Sequence, residues 1–554
     1  MRKQILLACL MLLPYALQAE VVEIDNIYYN LIPKAKSAAV AQHPQNGYIG
    51  NIVIPDSITY EGIDYEVTSI EDKAFLVCKD LNSLTLPNTI TSIGKHAFAS
   101  CDSLKSIELP NSITSIGEYA FDCCVGLTKI AIPEKVTTIE DATFFGCIAL
   151  DSIVIPDNIK TIGEYAFRLC SGLKSVVFGN GLTSIGKYAF SDCIGIDTLV
   201  IPNNVVSIEE HAFLTCKGLT SLTLGYGLKN IGKQAFRNCE GLTSLTIPSN
   251  VTSLGDYAFN SCAGLTSVIV GNGLTSISAN AFSNCTNLTS VVLPNSVTAI
   301  ENYAFNGCRK LPSIIIPGNV TFIGIESFAS CWELKDVYCY AEKAPTTNVS
   351  AFQDSYMEHI ILHVPAASIN DYKRIEPWSN FKDIVPIEGE APEMQQCDMP
   401  TISYEDGELK FNCATEGAQF VYEITNEDIK VGNENSVRLT STYHISVYAT
   451  LSGYQDSDKA TATLCWIDAE PKTEGTTENI AQIKAHPIFI QNKDGILNIT
   501  GTEDNTIIQV YTTAGLFIGS DTSHQRRAII NTSLKNGETA IVKIGEKTIK
   551  VLMK

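Results

Sequence analysis

Eighteen cysteines stand in a chain of 554 residues, and twelve of them share one spacing. Cys78, Cys101, Cys124, Cys147, Cys170, Cys193, Cys216, Cys239, Cys262, Cys285, Cys308 and Cys331 follow one another every 23 residues. Thiols can bridge, bind soft metals or act as nucleophiles, and each role needs a partner held close. A disulfide wants Cβ atoms about 3.8 Å apart, and a zinc site wants four converging ligands. A strict linear period offers one thiol per repeat and no histidine with it. The eight histidines are scattered. His359 and His363 are four apart, which on a helix would suit a metal. The stretch His359 to Val364 alternates like a strand instead, setting the two on one face about 13 Å apart. Carboxylates recur at no fixed repeat position. No Asp-x-Asp-x-Asp-Gly calcium loop occurs, and no Gly-rich phosphate loop follows a strand. The sequence therefore predicts no catalytic residue, no metal ligand and no cofactor.

What the period does predict is architecture. A Phe precedes each of the twelve cysteines by three residues, from Phe75 to Phe328. The pairs Phe98 and Cys101, Phe121 and Cys124, Phe144 and Cys147, and Phe167 and Cys170 are the pattern of a structural ladder. In the unit from Cys101 to Phe121 the apolar frame is Leu104, Ile107, Leu109, Ile113, Ile116, Ala120 and Phe121. Its first part alternates like a strand and is closed by Pro110. Its last part, Ile116, Ala120 and Phe121, has i, i+4, i+5 spacing and predicts one or two helical turns. A 23-residue unit cannot bury both faces alone, so stacking must build a shared core. Parallel stacking at about 4.8 Å also holds equivalent thiols too far apart to bridge, predicting a ladder of buried free cysteines.

This pattern, with Ile-Pro after the strand and Ala-Phe-x-x-Cys at the end, resembles the BspA-like leucine-rich repeats of bacterial surface proteins. The resemblance covers about residues 52–340, and it lacks the Asn ladder of ordinary leucine-rich repeats. It implies a secreted or cell-surface protein that uses a solenoid face for adhesion or protein–protein interaction. The expected fold is an α/β repeat solenoid of right-handed leucine-rich-repeat type, with short strands and short helical turns, followed by two small all-β domains.

The divisions follow from composition. Residues 1–19 carry Arg2, Lys3, an apolar core and a small-residue cleavage site, the pattern of a secretory signal peptide. Their removal would take the formal charge from -21 to -23. Residues 20–54 read as N-terminal cap strands, 55–340 as a repeat array of about 12 units, and 341–388 as a C-terminal cap. A hairpin insertion is expected around Tyr60-Glu61-Gly62. Two acidic or polar linkers, 389–398 and 468–483, set off a β-sandwich module of seven or so strands at 399–467 and a β-domain at 488–554. Cys413 and Cys465 could bridge two strands of that module. The last domain resembles the C-terminal sorting domain of type IX secretion at Val510-Tyr511, Gly515, Val542-Lys543-Ile544 and Lys550-Val551. It departs from that family at Gly537-Glu538-Thr539-Ala540, where a Gly and an aromatic are usual.

An acidic chain of this kind lacks the clustered Lys and Arg that phosphate backbones require, so nucleic acid is not an expected partner. No apolar run after the leader is long enough to span a membrane. The expected partner is an extracellular or host protein, with a glycan as the alternative. Two columns could meet it. One lies on the exposed side of the strands: Val154, Val177, Val200, Thr223, Thr246, Ile269, Val292 and Ile315, beside a mostly Ser column. The other stands two residues before each Phe and includes Tyr119, Tyr165, Tyr188, Tyr257 and Tyr303. With the sandwich module as a further contact, it would be the route to sugars; otherwise those rings cover the helical face of each coil.

Overall fold

The computed structural model describes residues 20–388 apart from Asn46. Beyond that it describes the strands of 397–554 with part of their connections. The leader 1–19, most of the first linker and all of the second lie outside the described residues. Two compact units divide near Pro392.

In the first unit every coil repeats one plan. After Cys101 a short strand, Ser106–Ile107, pairs parallel with Lys129–Ile130 of the next coil. After Pro110 a second short strand, Ser115–Ile116, pairs parallel with Ser92–Ile93 of the coil before. Ser-Ile suits both sites, because the β-branched Ile buries on a pleated surface while Ser faces out. Glu118 to Cys123 then turns back to Cys124. Register is strict over the whole array, so like residues lie over like residues.

The returning segment is where expectation and structure part. Ala120 and Phe121 do not lie on a helix, and no coil between 55 and 356 contains one among the described residues. Alternate N–H groups leave the coil: Tyr119, Phe121 and Cys123 donate to the carbonyls of Asp141, Thr143 and Phe145 at 2.7–3.0 Å. Those between them turn inward, Ala120 to Gly117, Asp122 to Tyr119 and Cys124 to Phe121 at 3.1–3.2 Å. A helix needs every N–H for its own chain, and here half are claimed by the neighbour. The alternation requires left-handed backbone twice per coil, at Tyr119 (φ 58°) and Cys123 (φ 55°). Leucine-rich-repeat geometry thus survives, with turns where helices were expected.

Packing explains the Phe and Cys. Thirteen Phe rings, from Phe75 to Phe328 and then Phe352, stack face to face at 5.0–5.8 Å between centroids. All twelve ladder cysteines are free and buried. From Cys101 onward each thiol donates back to the Phe carbonyl of the preceding coil. Cys101 reaches Phe75 O at 3.2 Å, Cys124 reaches Phe98 O at 3.0 Å, and Cys331 reaches Phe305 O at 3.4 Å. That carbonyl also accepts an N–H of its own coil, as Phe75 O does from Cys78. Both lone pairs are therefore used in a dry core, where an unpaired acceptor is costly.

Both ends are closed by large side chains. At the start, Glu20–Ile24, Ile27–Ile32 and Ser37–Val40 form an antiparallel meander whose last strand pairs parallel with Ile63–Ile70. Ser57–Tyr60 folds back on Ile63–Ile70 across Glu61-Gly62. The Tyr48 ring lies 4.7 Å from Phe75, and its N–H donates to Cys78 Sγ at 3.1 Å. At the far end the ladder runs one coil beyond Cys331. Phe352 follows Phe328 by 24 residues, and Ser355 stands where Cys would: its hydroxyl donates to Phe328 O at 2.7 Å. Trp378 and Phe381 then meet Phe352 edge-on, with Tyr372 buried against Trp378.

The described residues of the second unit contain strands and no helix. A hairpin of Thr401–Glu405 and Glu408–Asn412 accompanies a sheet built on Gln419–Val431, Arg438–Thr450 and Ala460–Cys465. That makes five described strands before residue 467, not seven, because two of them run to 13 residues. The sheet continues without a break, since Ala460–Cys465 pairs with Ile488–Lys493. The stretches read separately from sequence thus share one sheet. A further sheet joins Ile507–Thr512, Phe517–Thr522, Thr539–Ile544 and Lys547–Leu552. Cys413 is free and donates to Asp398 O at 3.0 Å, and the side chain of Cys465, the other half of the expected bridge, lies outside the described residues.

Candidate binding faces

The strand face carries the first column. Val154 pairs in register with Val177, Val200 with Thr223, Thr246 with Ile269, and Ile269 with Val292. Val154, Val177 and Val200 are 61%, 53% and 60% exposed, and Thr223 and Thr246 are exposed beside them. The apolar strip does not run the full array. Ile269, paired with Thr246 and Val292, is only 8% exposed, and Val292 is half-buried. Ile315 is exposed again. Ser152, Ser175 and Thr198 flank the Val strip and are exposed. An exposed Lys174–Asp151 pair at 2.8 Å edges it and contributes little energy.

Two residues on this face escaped the sequence reading. Tyr338 pairs with Ile315 and His363 with Tyr338, so the column goes on into the cap. Their rings stack at 4.2 Å, and His363 Nε2 lies 2.8 Å from Asp336 Oδ1. The spacing from Tyr338 to His363 is 25 residues, which hides the match from a 23-residue period. His359 sits in a 3-10 turn, Met357–His359, so it does not share a strand face with His363.

The Tyr column lies on the returning turns. Tyr119, Tyr165, Tyr188, Tyr257 and Tyr303 are half-buried and all have φ between 55° and 60°. They cover turns, since there is no helical face. Tyr165, Tyr188 and His211 form a continuous stack, 5.0 Å and 4.4 Å between centroids, and His96 stacks on Tyr119 at 4.7 Å. The Arg168 guanidinium lies 5.6 Å and 5.4 Å from the centroids of Tyr165 and Tyr188. Burial holds the His211 imidazole below its ordinary value, against the opposing pull of Glu210. Both faces of Tyr188 are therefore covered, leaving its edge and hydroxyl to solvent.

Among the described residues no three His, Cys, Asp or Glu side chains converge on a cation site. Burial pushes the thiols of Cys124, Cys262 and Cys331 up to about 12, so these stay protonated and poor as nucleophiles. Cys123, outside the ladder and half-buried, is raised to about 11 by burial and by Asp122. No helix of the described residues is long and apolar enough to cross a membrane.

A regular coil of about 23 residues, a single Phe–Cys core and free outer columns define a leucine-rich repeat solenoid. The model of the BspA type leucine rich repeat region matches residues 68–193, 137–266 and 252–373, more than half of the chain. The chain belongs to that family. Among solved structures, it is similar to a leucine-rich repeat protein from Bacteroides ovatus, with 26% identity and a TM-score of 0.52. That likeness covers 66% of this chain and 100% of the other. A leucine rich cell surface protein from Faecalibacterium prausnitzii also matches, at 26% identity over 67% of this chain and 96% of that one, with a TM-score of 0.43. No curated protein matches the chain.

Proposed function

We infer that this is a non-catalytic binding protein, secreted or held on the outer cell surface, whose solenoid strand face takes an extracellular or host protein. The observation that carries the reading is the exposed strip of Val154, Val177 and Val200 on three consecutive coils, bordered by small hydroxyl side chains. Contiguous apolar surface of this kind marks interaction sites more often than solitary exposed residues do. Membership of the BspA type family supports a binding role and an outer location. The leader at 1–19 and the sorting-domain resemblance at 488–554 are part of the same proposal; they would carry the chain out of the cell and fix it there. The second unit then serves as spacer and anchor. The stretch Tyr165, Tyr188 and His211 of the Tyr column is read as structural, because its stacked rings keep their faces for one another.

The test is adhesion of the full chain to immobilised extracellular matrix proteins. Val177→Asp together with Val200→Asp should leave the circular dichroism spectrum unchanged, since both side chains face solvent, and weaken binding at least about tenfold. Undiminished adhesion by that double variant would overturn the strand-face reading.

A further inference from the structure

Large exposed aromatic rings are rare on the solenoid, and their positions are not random. Among the described residues of 20–388 only the rings of Phe322, Trp332 and Tyr356 are more than a third exposed, all of them in the last coils. Trp332 follows Cys331 directly. Tyr356 follows Ser355, which takes the place of a ladder cysteine, and Arg309 follows Cys308. Arg309, Trp332 and Tyr356 therefore occupy one repeat position on three consecutive coils.

Their geometry differs from that of the Tyr column. The Arg309 guanidinium lies 4.4 Å from the Trp332 ring centroid, backing one face of the indole and fixing its orientation. No carboxylate pairs with Arg309 among the described residues, so its donor fork stays available. Trp332 is 50% exposed and Tyr356 is 55% exposed. Tyr356 has left-handed backbone, φ 53°, and the two rings do not stack on each other. Each keeps surface that Tyr188 has lost.

The surroundings select the occupant. Lys310, Glu333, Gln353 and Asp354 flank these rings in sequence, and all are exposed. That border is polar, whereas the core of a protein–protein contact is depleted of charge. The chain carries a formal charge of -21, which repels polyanions, while Arg309 and Lys310 oppose a cationic ligand locally. A neutral pyranose avoids both penalties. Its C–H face can lie on an indole or phenol ring, and its hydroxyls can accept from a guanidinium and donate to a carboxylate. We propose that Arg309, Trp332 and Tyr356 form a platform for a neutral saccharide at the C-terminal end of the solenoid, distinct from the Val strip.

Native affinity electrophoresis of the full chain tests this, with gels holding a soluble α-glucan, β-glucan, mannan or xylan, and polygalacturonate as the acidic arm. At least one neutral polymer should retard the protein. Trp332→Ala should weaken that binding at least about tenfold and Arg309→Gln about threefold. Tyr188→Ala and Val177→Asp should leave it unchanged, which separates this platform from the strand face. Quenching of tryptophan emission by the same polymer, lost in Trp332→Ala, gives a second readout on protein whose circular dichroism is intact. Retardation by no neutral polymer, retardation by polygalacturonate alone, or full binding by Trp332→Ala would each overturn the proposal.

Discussion

At the scale of single residues, the ladder cysteines are hydrogen-bond donors that happen to be apolar enough for a dry core. Their spacing was plain in the sequence, and so was their inability to bridge. Their acceptor was not, because the Phe carbonyl that each one meets belongs to a residue 26 positions earlier. Ser355 shows which property matters, since a hydroxyl fills the same role in the last coil. Cys216→Ser should therefore cost less than about 1 kcal/mol, while Cys216→Val loses the bond and adds volume, costing about 2–3 kcal/mol. Urea unfolding of the two variants measures the difference. Thiol titration in denaturant without reductant should find all twelve reactive, and the native protein almost none of them.

Those thiols also set the response to alkali. Burial raises Cys124, Cys262 and Cys331 above the ordinary value near 9, to about 12. The folded chain thus keeps its thiol protons where the unfolded chain has released them. With more protons bound in the native state, stability must fall as pH rises. The contribution is intact below about pH 9 and is lost progressively from there toward pH 12. Urea midpoints measured across pH 8 to 11 should drop steeply above 9, and a flat profile would contradict the ladder's burial.

At the scale of the element, the returning turn misled the helical spacing because periodicity registers which side chains are buried, and not which carbonyl each N–H selects. Ile116, Ala120 and Phe121 are buried as expected. The backbone that buries them alternates between its own coil and the next. Its cost is left-handed geometry at non-Gly residues, including the β-branched Val77 at φ 60°. Gly146 and Gly307 fill the same repeat position at no such cost. Val77→Gly should accordingly raise stability by about 1 kcal/mol, as read from thermal unfolding. The Ser-Ile-Gly glycines answer to a different constraint. A Cβ on Gly117 would lie 2.7 Å from Lys95 N, so Gly117→Ala must push two coils apart and should cost about 1–3 kcal/mol.

At the scale of the whole solenoid, each coil touches only its neighbours, so the ends decide whether the stack holds. The need for closure was legible in the large apolar residues of 341–388. Its form was not, because Phe352 comes one residue late and its partner is Ser355. The strand column shows the same limit: pairing put Ile269 in line with Thr246 and Val292, while exposure broke the strip there. Trp378→Ala should remove about 3–5 kcal/mol from the terminal coils. Hydrogen exchange should then show lost protection confined to residues 328–388, with the coils around Cys170 unchanged. Uniform loss of protection would mean that the stack opens as one block.

The backward reach of the thiols from Cys101 onward gives the array a direction. A coil made later supplies the sulfhydryl, while the carbonyl that receives it is already in place on the coil made before. A nascent chain that emerges amino-terminus first therefore meets a finished docking site at each step, and its reactive sulfur is shielded as soon as that coil settles. Assembly from Tyr48 toward Trp378 thus resembles the closing of a zip, and protection from air oxidation travels with the slider.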